Sequence, residues 1–152
     1  MSDERAPEFL EQWRVFDAMV DYSRELIGPA ATYDVEEGGA IGLLYITPSN
    51  PRARAINVIT EQWLIVTVGP NGGRFELGFT DADIALAKGI VAATVAGRIE
   101  ERSALGRSRV VATLEGGKTI HETGHNGCAT LLVPQPGWTR WGKLTTFEPY
   151  GV

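Results

Sequence analysis

ATYDVEEGGAIGLLYIT, residues 31–47, reads as two strands joined by glycine. Ala31 to Glu37 and Ala40 to Thr47 flank Gly38-Gly39, a pair that tolerates the positive φ of a tight hairpin turn. In this register Asp34 and Glu36 share a face with Ile41, Leu43 and Tyr45. A face that mixes acids with large apolar side chains is awkward in a core and natural at a partner site.

On the N-terminal side, Phe9, Trp13, Phe16, Val20 and Ile27 recur at helical spacing. Pro7 suits a first helical position, and Gly28-Pro29 stops the helix. On the other side, Ala55 to Thr60 and Trp63 to Val68 read as strands. The second is apolar except for Thr67, as a central strand covered on both faces would be. Arg74 to Phe79 alternates, with Phe75, Leu77 and Phe79 inward. Thr80 opens a second helix, and Asp83 completes a variant capping box. Ile84, Ala87, Ile90, Val91 and Val95 give that helix a flat apolar stripe, and Gly97 ends it.

Arg98 to Ala104, Ser108 to Glu115 and Lys118 to Thr123 then form a meander, with turns at residues 105–107 and at Gly116-Gly117. From Gly124 onward the chain is rich in Pro, Gly and Trp. A short strand is expected over Ala129 to Val133, followed by a segment wrapped over the core. The order lacks helical crossovers between successive strands, which argues against a doubly wound parallel sheet. The expected fold is α+β: one domain over residues 1–152, with an antiparallel, meander-rich sheet and two helices on one face.

The chain has 152 residues, 14 basic and 19 acidic, for a net charge of −5. Residues 1–28 carry −4, 29–79 carry −2, and 116–152 carry +1, so the acidity lies toward the N-terminal half. Such a balance disfavours non-specific nucleic-acid binding, and no nucleic-acid partner is expected. Cys128 is the lone cysteine, which excludes a disulfide framework within one chain. No leader pattern opens the sequence and no apolar run is long enough for a span, so no membrane partner and a cytoplasmic location are expected.

His121-Glu122-Thr123-Gly124-His125 fits H-E-x-x-H, the zinc-protease pattern. That chemistry needs both histidines on one turn of a helix with the glutamate beside the metal-bound water. Here Gly116-Gly117 sets a hairpin upstream, with His121 expected opposite Ala112 and Glu122 opposite Val111. On a strand the two histidines stand ~13 Å apart, too far for one zinc. No metal, no cofactor and no catalytic residue is assigned. His121, His125 and Cys128 are nevertheless the polar groups around which a pocket could form. They carry the alternative reading, a small-molecule binder or enzyme.

A second surface is the proline-rich segment Pro134 to Lys143, where Trp138 and Trp141 flank Arg140. Trp and Arg are enriched at binding hot spots. In size, acidic balance, α+β order and the lack of a catalytic constellation, the chain resembles the small acidic immunity proteins of bacterial toxin systems. Such proteins occlude a toxin's active site, often setting acids against a basic cleft. The resemblance implies a protein partner, a basic toxin domain, with Asp34, Glu36, Trp138 and Trp141 as contacts. Leu43, Tyr45 and Arg140 join them as neighbouring candidates.

Overall fold

Helix α1 (Leu10–Ile27) buries Trp13, Phe16, Met19, Val20 and Ile27, and a 3-10 turn at Gly28–Ala30 follows it. β1 (Ala31–Gly38), β2 (Ile41–Pro48), β3 (Ile56–Thr60), β4 (Leu64–Thr67) and β5 (Arg74–Leu77) then make an antiparallel meander in chain order. Helix α2 (Asp81–Val95) leads to β6 (Ile99–Ala104), β7 (Arg107–Thr113) and β8 (Thr119–His125). A short helix α3 (Trp138–Trp141) and β9 (Lys143–Thr146) close the chain. The computed structural model describes residues 5, 7–69, 72–127 and 132–152.

The α+β class and the antiparallel meanders are as expected, but the strands divide into two sheets. β1 to β5 form one sheet; the other has the order β8-β7-β6-β9. β9 has no counterpart among the expected strands: it returns from the proline-rich tail to pair with β6, Leu144 opposite Arg102. Most of the strand expected over 129–133 lies outside the described residues.

α1 packs on β2 and β3, while α2 packs on β4, β5 and β7. Leu44, Ile46, Val58, Leu64 and Val66 of the first sheet meet Ile99, Val110 and Ala112 of the second in one apolar core. Gly42 brings α1 close. A Cβ there would lie 2.7 Å from Phe16 Cδ2, so the ring rests directly on the backbone of β2.

Both halves of the capping box at α2 are present. Asp83 N–H donates to Thr80 Oγ1 and Thr80 N–H to Asp83 Oδ2, each at 3.2 Å. The Thr80 hydroxyl also donates to that carboxylate, and these bonds hold the Asp83 carboxyl below its ordinary range. At the far end Gly97 adopts φ 72°. Arg98 N–H then reaches Ala93 O at 2.8 Å and Gly97 N–H reaches Thr94 O at 3.0 Å, a Schellman closure.

The first hairpin turns at Gly39-Ala40, one residue later than expected, with Gly38 opposite Ile41 and Gly39 at φ 56°. Asp34 consequently pairs with Tyr45 and Glu36 with Leu43. The faces are the expected ones, because the shift conserves the alternation.

The hairpin between β7 and β8 differs by one residue. His121 stands opposite Val111 and Ile120 opposite Ala112. Gly116 and Gly117, at φ 89° and 90°, belong to a longer loop closed by Leu114 N–H on Lys118 O at 2.8 Å. This slip sends Ile120 to the core face and moves His121 to the outer face, where burial of an apolar side chain fixes the register.

Candidate functional site

Helices α1 and α2 pack on one face of the first sheet, and neither covers the other. On that outer face Asp34 and Glu36 are exposed, and Ile41 is 39% exposed beside half-buried Leu43 and Tyr45. Ile59 and Ile65 continue the apolar surface across β3 and β4, with Ile65 shielded by its neighbours. A hollow of about 270 Å³ at the hairpin end is lined by Glu36, Glu37, Gly38, Ile41 and Leu43.

Charge at this hairpin is divided by face. Glu37 faces the helices, where Arg5 grips it at 2.6 Å and Asp17 at 2.7 Å. Arg5 also lies 4.6 Å from the Trp13 ring centroid, and the two carboxylates hold its guanidinium ever more firmly charged. Asp34 and Glu36, by contrast, have no ion pair or hydrogen bond among the described residues. Their field is directed at solvent. Apolar side chains beside unneutralised acids let this surface exclude water at its centre and attract positive charge at its rim.

A wider groove, about 760 Å³, lies elsewhere, between the segment before β3 and the strand end of β9. Arg54 crosses it. Its guanidinium pairs with Glu101 and lies 4.6 Å from the Phe147 ring centroid, while its carbonyl accepts from the Tyr150 hydroxyl. Burial pushes the Tyr150 hydroxyl up, out of its ordinary range. At the groove's rim the Glu148 carboxyl is held below its ordinary range, first by the Asn50 amide and then by Arg52. Every charge here has a partner of opposite sign, so the cluster ties the two sheets together. The sequence carried no local signal for it: Arg54 and Glu101 are 47 residues apart.

The remaining candidates lie on the second sheet. α3 seats Trp138 over Arg109, 6.0 Å from ring centroid to guanidinium. Trp141 is 59% exposed, and its indole N–H donates to Pro136 O at 2.9 Å. Arg140 is exposed and lends its carbonyl to Arg102 at 2.9 Å. His121 and His125 are exposed on the outer face of β8, an edge strand, and line neither groove described above. Cys128 lies outside the described residues.

H-E-x-x-H is thus extended strand, and Glu122 points to the face opposite the two histidines. Among the described residues no group of three or more His, Cys, Asp or Glu side chains is placed to hold a metal ion. No described helix is long and apolar enough to cross a membrane. Set against protein-family models, curated proteins and solved structures, the chain matches none of them, and geometry alone carries the functional reading.

Proposed function

We propose that this protein acts by binding another protein through the outer face of β1 and β2. One observation carries the reading: among the described residues Asp34 and Glu36 stand without partners, beside Ile41, Leu43 and Tyr45 on a sheet face that neither α1 nor α2 covers. Water leaving the apolar centre supplies affinity, and the acids supply rate and selectivity for a basic partner. A role like that of immunity proteins, covering the basic active-site cleft of a toxin, fits this chemistry. The single cysteine accords with the reducing cytoplasm, where such a protein would meet its target.

The test compares the wild type with Asp34→Lys/Glu36→Lys as bait in lysate of the native host. A partner held by the wild type should be lost or weakened with the double reversal. Its association rate with the wild type should fall on raising salt, by roughly tenfold or more. The reading fails if the partner binds both baits at equal rates. It also fails if the purified protein turns over a small molecule and retains no protein.

A further inference from the structure

The outer face of the second sheet has the opposite character. Its rows follow from the register. Leu144, Arg102, Arg109 and Thr123 lie side by side across β9, β6, β7 and β8. Arg107 and His125 form the pair on one side of this row, and Val111 with His121 the pair on the other. Glu100, opposite Val111, is the acid on this face of the paired strands. In a chain of net charge −5, this concentrates positive charge on one surface.

Arg102 and Arg109 stand directly opposite each other, and like charges in that position destabilise a sheet. The contacts that hold them are neutral. Arg102 donates to the carbonyls of Arg140 and Gly142 at 2.9 and 3.0 Å, and Arg109 donates to Thr123 Oγ1 at 2.9 Å. Arg107 reaches Val133 O at 2.8 Å. The bonds of Arg102 and Arg109 orient those two guanidinium groups without an acid among their described partners, and leave their charge in place. Exposed apolar side chains gather here too: Val133 at 43%, Trp141 at 59% and Leu144 at 45%.

We infer that this basic, partly apolar face is a second docking surface, and that it takes an acidic segment of a protein partner in which carboxylates alternate with apolar residues. Guanidinium forks match carboxylates in geometry, and Trp141 with Leu144 offers the apolar contact between them. A single nucleic-acid strand suits the face less well. Such strands stack successive bases on successive exposed rings, and here Trp138 is half-covered against Arg109. The inference is independent of the acidic hairpin face, which lies on the other sheet and attracts the opposite charge.

The experiment is fluorescence anisotropy with a short dye-labelled peptide of alternating Glu and Leu, at low and high salt. The wild type should bind it, more weakly as salt rises. Arg140→Glu/His125→Glu, at two exposed side chains, should weaken binding by at least about fivefold. Arg109→Gln, checked for folding by circular dichroism, should do the same. Asp34→Lys/Glu36→Lys should not weaken binding, which separates this surface from the first. The inference is overturned if the peptide does not bind at low salt, or if the Arg140/His125 variant binds as the wild type does. Tighter binding of a labelled oligothymidylate than of the peptide would overturn the partner class.

Discussion

Gly42→Ala adds one methyl group where α1 meets the first sheet. The new Cβ would sit 2.7, 2.7 and 2.9 Å from Phe16 Cδ2, Cγ and Cδ1. Ordinary carbon contacts are about 3.5–4.0 Å, so the ring or the strand must retreat by roughly 1 Å. Retreat is obstructed, because Phe16 is fully buried and meets Trp13 edge to face at 5.8 Å. Overpacking of this kind costs about 1–3 kcal/mol, and the lower entropy of an unfolded Ala chain offsets about 0.4–1 kcal/mol. The net loss should be about 1–2 kcal/mol, which for a chain of this length lowers Tm by roughly 2–8 °C. Urea melts of the wild type, Gly42→Ala, Phe16→Leu and the double variant give the measurement. The double variant should be more stable than the two single losses added together, since Leu presents no ring to the new methyl. A Gly42→Ala protein as stable as the wild type, with no coupling to Phe16, would show that α1 does not rest on β2 in this way.

Three further outcomes follow from the structure. Glu101→Leu strands Arg54 in a site where the two side chains are only 17% and 14% exposed, and should cost about 3 kcal/mol in denaturant melts; Arg54→Met/Glu101→Leu should recover most of it. The Asp83 carboxyl is held low by the Thr80 hydroxyl and by backbone bonds. Its stabilising effect is therefore full above the ordinary carboxylate range and is lost as pH falls through the depressed value. Asp83→Asn should accordingly flatten that part of the acid limb of a stability–pH curve, while leaving the limb unchanged would contradict the capping geometry. Elemental analysis of protein purified without added metal or chelator should find no stoichiometric zinc, and one zinc per chain lost on His121→Ala would refute the strand reading of H-E-x-x-H.

Local patterns carried the elements that depend on neighbours in sequence. Helical spacing from Phe9 to Ile27 gave α1, and Thr80 with Asp83 gave the start of α2, because caps and stripes act within a few residues. The acid-apolar face of the first hairpin was legible because side-chain alternation survives an even shift of register. The hairpin of β7 and β8 was not, since two adjacent glycines fit either a tight turn or a longer loop. Only the burial of Ile120 against the core chooses between them. The division into two sheets lies between β5 and β6, which do not pair, and β9 completes the second sheet by pairing with β6 across some 40 residues. Arg54 with Glu101, and the row of Arg102 and Arg109, are likewise products of tertiary pairing. Arginines spread along a meander show no clustering until the strands are laid side by side.

A photo-crosslinking amino acid at Leu43, expressed in the native host, addresses the hairpin surface most directly. Leu43 lies at the centre of the outer face, opposite Glu36, and is half-buried by neighbours that a side chain of similar size leaves undisturbed. Irradiation should yield one discrete protein adduct, which Asp34→Lys/Glu36→Lys in the same chain should abolish. The same crosslinker at exposed Ala85 on α2 should yield none. Absence of an adduct at Leu43, or an adduct indifferent to the two charge reversals, would contradict a partner bound through β1 and β2.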